Sequence, residues 1–290
     1  MKNILVITTG GTIASEETAA GLAPARRGSD MIRGISDCKI TILDLFSCDS
    51  TDISPEHWKK LYTAVKNGAG YDGIVILHGT DTLEYTAAML YFTASYMGIP
   101  IIITGAMLPF SAPDSDGKRN IADAVKTACD PRFSGVYAVF CGRIIGGYEV
   151  VKCHSSHKDA FRSFSGQDCG AIDHGMITVN KYTQVPKPVK IPDEGGKTAV
   201  IKLTPFTEEL HVPAGYTGAV IESFGAGGIP LRLEKHLKAL CLRMPVVITT
   251  PCRGGADLTE YEVGQRALAC GAIDGGIMST ACAAVKLWLG

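Results

Sequence analysis

Short β-branched runs alternate along this chain with longer segments of helical period, and that alternation restricts the fold more than any other feature. NILVIT, KITILDL, GIVIL, PIIIT and VYAVF read as strands. Separated by helical segments, such runs make a parallel sheet covered on both faces by helices, an α/β architecture. Ser54-Pro55-Glu56 opens one helix with a capping hydroxyl, a proline at the first helical position and an acid in the first turn. Asp72-Gly73 then turns the chain into the next strand.

The stretch NKYTQVPKPVKIPDEGGK, from Asn180 to Lys197, has three prolines, a glycine pair and several charges but no apolar period. It reads as a linker. The expected organisation is an N-terminal domain over 1–180, a linker over 181–197 and a smaller α/β domain over 198–290. The second domain follows from KTAVIKL, GAVIES, the helical LRLEKHLKALCLR, PVVITT and a last helix around AAVKLWLG. At 290 residues and 46% hydrophobic, the chain has enough apolar material for a substantial core in each.

With 28 basic against 29 acidic residues the net charge is −1, which gives no field to draw a nucleic-acid backbone or an anionic membrane. A small, near-neutral partner fits better. No stretch approaches the ~20 uninterrupted apolar residues of a membrane span. MKNILVITTG has neither the long apolar region nor the small-residue cleavage site of a secretory signal. The expectation is a cytoplasmic, soluble protein whose ten scattered cysteines, with no C-x-x-C pair, are buried, reduced thiols. Cys153, His154 and His157 in KCHSSHKD offer three soft donors, but no fourth ligand stands at motif spacing, so no metal is expected.

In an open parallel sheet, ligands collect at the carboxyl ends of strands. Two hydroxyl-rich turns stand there: TTGGTIAS after the first strand and HGTDT, His78 to Thr82, after GIVIL. The first lacks both the G-x-G-x-x-G of a dinucleotide site and the Gly-Lys-Ser/Thr of a P-loop. Its glycine pair permits backbone N–H groups to approach a developing oxyanion, with Thr12 beside them as a possible nucleophile. The plainer reading is that Thr8, Thr9 and Thr12 satisfy strand ends and turns. Thr80 and Asp81 bring a hydroxyl and a carboxylate to a helix N-terminus, where Asp81 can cap the helix, bind a ligand, or do both. A threonine hydroxyl needs a base; a lysine serves only if burial or a cation lowers its pKa, and an adjacent carboxylate pulls the other way. A Thr-Lys-Asp relay is chemically reasonable, and spacing alone does not specify it.

TTGGTIAS and VILHGTDTLEYTA, in this order and at this distance, closely resemble the two signature segments of the bacterial-type L-asparaginase family. The likeness extends through GAMLPFS and SDGKRNIADA to GGIMSTACAAVKLWLG, over nearly the whole chain. DISPEHW looks more like the cytoplasmic, type I branch. The resemblance implies a larger N-terminal parallel or mixed-sheet α/β domain and a smaller, flavodoxin-like C-terminal one. It also implies hydrolysis of L-asparagine to L-aspartate and ammonia, without cofactor, by a homodimer or homotetramer with sites near subunit contacts.

Carried over residue by residue, the resemblance makes Thr12 the nucleophile and Thr80, Asp81 and Lys152 a second catalytic set, with Lys152 taken from GYEVVKCHSS. An ordinary surface lysine is the alternative for Lys152. Gly11, Ser50, Thr51, Thr80, Asp81 and Ala106 would bind substrate. Of these, Ser50 and Thr51 grip the α-carboxylate, Asp81 binds the α-ammonium, and the Ala106 carbonyl receives the amide nitrogen; simple strand-end packing is the alternative for Ala106.

The chain departs from the family in the loop after the first signature, where members usually carry a tyrosine and this sequence reads AAGLAPARR, with Leu22 in its place. Either another group replaces the phenol, with Glu16, Glu17 and a neighbouring subunit's Tyr261 as candidates, or the Thr80, Asp81, Lys152 set suffices, or turnover is slow. The small and polar residues from Ala14 to Gly28 suit a mobile lid. Three other readings stay open: a broader glutaminase-asparaginase, the amidotransferase subunit that feeds ammonia to misacylated tRNA, and an amino-acid-binding homologue that has lost turnover. The neutral charge and the lack of an added amino-terminal domain count against the tRNA reading.

Overall fold

The five expected strands of the first domain all form, and all five stand side by side in an order that sets the position of everything else. A computed structural model describes residues 1–18, 21–24, 28–32, 34, 38–194 and 196–290. It divides into one compact unit of Met1–Ser163 with Asp168–Pro188 and a second of Phe164–Gln167 with Val189–Gly290. In chain order the first unit contains β1 (Asn3–Gly10), β2 (Ser15–Thr18), β3 (Gly21–Pro24), α1 (Gly28–Met31), β4 (Lys39–Cys48), α2 (Pro55–Asn67), β5 (Gly73–Leu77), α3 (Leu83–Ala94), β6 (Pro100–Thr104) and α4 (Gly117–Cys129). It continues with β7 (Gly135–Phe140), β8 (Arg143–Gly146), β9 (Val150–Lys152), β10 (Phe161–Ser163), β11 (Gly170–Asp173) and β12 (Met176–Val179).

The main sheet has the order β12-β11-β8-β7-β6-β5-β1-β4. From β4 to β7 the pairing is parallel, and β8, β11 and β12 extend it antiparallel. The sheet is thus mixed, as expected. Every residue of β5, β6 and β7 is buried, as strands covered on both faces require, whereas β4 at the edge alternates between partial and full exposure. Ile121, Ala124, Val125 and Ala128 recur at helical spacing along α4 and pack on Val75, Ile102, Tyr137 and Val139. Ser54 is the extended N-cap residue of α2, with the His57 ring reaching back to its N–H. At Asp72 the turn into β5 is held because Asn3 donates its N–H to the Asp72 carboxylate at 2.8 Å. The Ser54 cap is a local tie that its sequence signal predicted, whereas the turn at Asp72 was marked in the sequence but its partner Asn3, 69 positions away, was not.

Three- and four-residue strands carry no usable period, and β8 to β12 were not anticipated. The expected loop from Ala14 to Gly28 is in its described part an antiparallel hairpin, with Glu17 paired to Leu22 in backbone register. Residues 19, 20 and 25–27, and the side chains of Glu16, Glu17 and Leu22, lie outside the described residues, and with them the lid and the replacement for the phenol.

The second unit contains β13 (Thr198–Lys202), β14 (Gly218–Glu222), α5 (Glu234–Cys241), β15 (Val246–Thr249), α6 (Glu262–Ala269), β16 (Ile273–Asp274) and α7 (Thr280–Leu289). Its four strands are parallel, in the order β13-β14-β15-β16. Alternation along β14 explains the layers: Ala219 and Ile221 join Leu237 and Leu240 of α5, while Val220 joins Ala283 and Ala284 of α7. LRLEKHLKALCLR begins with a short 3-10 turn at Leu231–Leu233 and continues as α5, which ends at Cys241. Tyr261 is the exposed N-cap of α6.

All ten cysteines are free thiols, but their burial is more varied than expected: Cys38, Cys169, Cys270 and Cys282 are buried, whereas Cys153 and Cys252 are exposed. Desolvation pushes the Cys169 thiol up to about 12, which makes it a poor thiolate. His154 and His157 have ring centroids 5.6 Å apart, and His157 Nδ1 accepts the Asp159 N–H. Among the described residues no three His, Cys, Asp or Glu side chains are placed to hold a metal ion. No described helix is long and apolar enough to cross a membrane.

Candidate active site

The adjacent strands β4, β1, β5 and β6 deliver, just past their carboxyl ends, Ser50 and Thr51, Gly11 and Thr12, Thr80 and Asp81, and Ala106. The chain leaves β1 for β4 on one side and returns to β5 on the other, so β1 marks the reversal of strand order where open sheets form ligand crevices.

Glycine lets the first two turns touch. Gly11 has φ 79°, a region that side chains avoid, and a Cβ there would stand 2.2 Å from Gly79 Cα. A Cβ on Gly79 would stand 2.6 Å from Ser50 Oγ. The three segments therefore meet at backbone distance. The Gly11 N–H donates to the Cys48 carbonyl at 2.9 Å, so it is engaged at the strand end instead of facing an oxyanion. Close approach is what the pair of glycines provides, and the expected amide cradle is corrected to that extent.

The first turn's threonines divide by role. Thr8 donates to Asp44 at 2.8 Å and Thr9 to the Leu77 carbonyl at 3.1 Å, stitching β1 to its neighbours as the plainer reading held. Thr12 heads a 3-10 turn, half-buried, beyond those ties. In the second turn, Ser50 Oγ accepts the Asp81 N–H at 3.1 Å, and Thr82 donates to the Ser50 carbonyl at 2.7 Å. The N-cap of α3 is Thr82, and Asp81 turns its carboxylate elsewhere.

That carboxylate meets Lys152. Lys152 Nζ donates to Asp81 Oδ1 at 2.6 Å and to Thr80 Oγ1 at 2.8 Å, although the lysine is more than seventy residues from both in sequence. The Lys152 side chain is only 16% exposed, which removes the surface-lysine reading. Thr80 is buried at 4%. Because its oxygen accepts from the ammonium, the Thr80 hydroxyl proton is directed away from the lysine and is available to another group.

Thr51 donates through both its N–H and its hydroxyl to Asp49 at 2.8 Å, so its polar groups close their own turn. Ala106 is fully buried, and the residue before it packs against this turn: a Cβ on Gly105 would stand 2.3 Å from the His78 carbonyl. Its setting comes from residues that sequence reasoning missed. Asp116 accepts the N–H groups of Met107 and Leu108, and Asn120 Nδ2 donates to both Asp116 and the Gly105 carbonyl. The segment SDGKRNIADA thus clamps GAM, a tie between distant positions that no local pattern marks.

A second buried string supports Thr80. His78 is wholly enclosed, with Nδ1 2.6 Å from the Gly79 carbonyl and Nε2 3.0 Å from Thr86 Oγ1, which also accepts the Trp58 indole N–H at 3.0 Å. A carbonyl only accepts, so the ring proton belongs on Nδ1. In a neutral ring Nε2 then accepts from Thr86. Burial keeps the ring neutral by lowering its pKa from 6.5 to about 4. His78 stands directly before GTDT, the one sequence signal that could have drawn attention to it.

The depressed pKa makes a stability prediction. The unfolded ring takes up its proton near pH 6.5 and the folded one near 4, so unfolding is accompanied by proton uptake between them and stability falls as the pH is lowered through that window. The term amounts to about 3 kcal/mol when fully developed. Urea unfolding at pH 7.5 and 4.5 should show wild type losing about 2 to 3 kcal/mol more than His78→Asn, whose amide still donates to Gly79. Equal losses in the two proteins would remove His78 as the source.

With this geometry established, comparison with known proteins defines the class. The family model "Asparaginase, N-terminal" matches residues 3–185, and "Glutaminase/Asparaginase C-terminal domain" matches 200–290. The chain belongs to the asparaginase family of hydrolases. Among individual relatives, it is 39% identical to the L-asparaginase of Thermococcus kodakarensis, over 98% of this chain and 91% of that protein. It is 32% identical to a glutamyl-tRNA(Gln) amidotransferase component from Methanobrevibacter smithii, over 99% of this chain and 71% of that protein. The solved thermostable L-asparaginase from T. kodakarensis superposes with a TM-score of 0.87 at 36% identity, covering 99% of this chain and 92% of that one. A structure described as a probable cytoplasmic L-asparaginase from Campylobacter jejuni gives 0.84 at 25% identity, covering 100% and 94%.

Proposed function

We propose that this protein hydrolyses L-asparagine to L-aspartate and ammonia, with Thr12 as nucleophile, acting in the cytoplasm as a homodimer or homotetramer. The observation that carries the reading is the Thr80–Lys152–Asp81 triad, drawn together at the switch point of the sheet beside the turn that presents Thr12. Thr12 Oγ forms a bond to the side-chain amide carbon as its O–H bond breaks, the carbonyl π pair moves to oxygen, and the released proton is the one the amide nitrogen gains before it leaves. Collapse of that intermediate breaks the C–N bond, and the nitrogen leaves as ammonia after gaining a proton. Water then attacks the Thr12 ester, releasing aspartate and restoring the hydroxyl. The Thr80 hydroxyl, aimed away from Lys152, is suited to move a proton at the leaving nitrogen or the incoming water.

In this reading Ser50 Oγ, which accepts the Asp81 N–H, serves the α-carboxylate, the Asp81 carboxylate the α-ammonium, and the Ala106 carbonyl the amide N–H. Gly11 acts by letting these turns close on one another. Thr51 contributes to the carboxylate subsite only if its bond to Asp49 opens.

A second reading rests on the amidotransferase components among the relatives, and glutamine is the substrate that separates it. One methylene is worth only ~1–3 kcal/mol in discrimination, so both amides must be measured. Ammonia release with a kcat/KM at least about tenfold higher for L-asparagine than for L-glutamine is the expected result. A preference for glutamine would favour the second reading. No ammonia from either, with tight asparagine binding by calorimetry, would leave a binding protein.

A further inference from the structure

Lys152 reaches the turn at Thr80 from a structure that the main sheet does not hold. β9 has three residues and, among the described residues, pairs only with β10, in a two-stranded sheet of its own. Within that pair Lys152 stands opposite Phe161, and the next N–H, of Cys153, donates inward to the Ala160 carbonyl at 2.7 Å. Successive N–H groups of a strand point to opposite sides, so the Lys152 N–H faces outward from the hairpin. It meets a carboxylate there: Glu84 Oε2 accepts it at 2.9 Å.

Glu84 lies in the first turn of α3, three residues after Asp81 and four after Thr80. One turn of chain thus grips the lysine at both ends, its backbone through Glu84 and its ammonium through Thr80 and Asp81. The arrangement has a reason in strand geometry. A slip of β9 by one residue would turn Lys152 to the opposite face, and a shift outward would break one or both of the Nζ bonds. Helix packing alone does not set that position, because a two-stranded hairpin is marginal by itself.

Nor does the helix need this side chain for its own sake. An acid in the first turn is worth ~0.3–1 kcal/mol against the helix dipole, and a fully exposed one would supply it without desolvation. Burial instead raises the Glu84 pKa, opposed by the Lys152 N–H and the lysine's charge. A partly buried carboxylate kept against that penalty is retained for what it holds.

We propose that Glu84 is the positioning residue for Lys152, fixing β9 at the register and depth where one ammonium spans Thr80 and Asp81. The proposal deepens the asparaginase reading and rests on it only for the kinetic half of its test. Glu84→Ala removes the acceptor, Glu84→Met removes it while filling the same volume, and Glu84→Gln keeps an acceptor without the charge.

Two readouts are taken on folded protein. In kinetics with L-asparagine, Glu84→Ala and Glu84→Met should lower kcat on the order of tenfold to a hundredfold with KM changed less than about threefold, and Glu84→Gln should recover most of the loss. In peptide mapping after brief acetylation, which requires no turnover, Lys152 should label at least about fivefold faster in Ala and Met than in wild type, with Gln close to wild type, because an engaged, shielded ammonium reacts slowly. Where alanine fails to fold, methionine carries both measurements. Unchanged labelling of Lys152 in the Met variant overturns the proposal, whether or not the wild type is active, as does a Gln variant as impaired as Met. Wild type that releases no ammonia while Lys152 labelling responds as expected would instead count against the asparaginase reading alone.

Discussion

Thr12→Ala should abolish ammonia release from L-asparagine, lowering kcat on the order of 10⁴-fold or more, while the protein remains folded. The expected size follows from the covalent route: without the hydroxyl no ester forms, and the remaining groups can only assist direct attack by water, a slower reaction. Stability should change by less than about 1 kcal/mol, because Thr12 is half-buried at the head of a short turn, and the ties between β1 and its neighbours belong to Thr8 and Thr9. Thr12→Ser, which keeps a hydroxyl but loses the methyl group that restricts its rotamer, should retain measurable turnover. Mass spectrometry after rapid acid quench provides the complementary measurement, with an acyl adduct on the peptide containing Thr12 in wild type and none in Thr12→Ala. Wild-type turnover surviving in Thr12→Ala would eliminate the nucleophile assignment.

The residues of this site differ in how plainly the sequence announces them, for physical reasons. Thr12, Thr80 and Asp81 sit in turns that follow strands of continuous burial, so short unbroken apolar runs and a topology rule bring them to one edge of the sheet before any distance is known. Lys152 lacks such a frame. Its strand is three residues long and outside the main sheet, and only the folded chain closes the seventy-residue gap to Thr80. The family resemblance supplied it, where periodicity had nothing to say.

His78, Asp116 and Asn120 were missed for another reason. Each acts through hydrogen bonds that involve backbone groups, and buried polar pairing leaves no hydropathy trace. The glycine pair was legible as a place of close approach but not as to what approaches. Its neighbour is Gly79, and the Gly11 N–H is bonded to Cys48. Close packing of two glycines lets the two strand ends meet at backbone distance.

The second large effect belongs to Lys152. Lys152→Ala should lower kcat about 10³-fold, with a smaller change in KM, since proton handling is lost while Ser50 and the Asp81 carboxylate remain to bind the amino-acid head. The reason lies in what one ammonium does: it supplies two directed donors, at 2.8 Å to Thr80 and 2.6 Å to Asp81, and so fixes the direction in which the Thr80 proton points. Without it the Thr80 hydroxyl can rotate, and Asp81 becomes a free acceptor able to capture that proton. Lys152→Arg should recover little, because a planar, forked guanidinium cannot place its donors as a compact ammonium does.

A double-mutant cycle distinguishes this linkage from independent contributions. If the pair works as a unit, adding Asp81→Asn to Lys152→Ala costs far less in kcat than Asp81→Asn does alone, while the KM increase from losing the Asp81 carboxylate persists in both backgrounds. Additive kcat losses would show that Lys152 and Asp81 act separately, and the contact between them would then be structural.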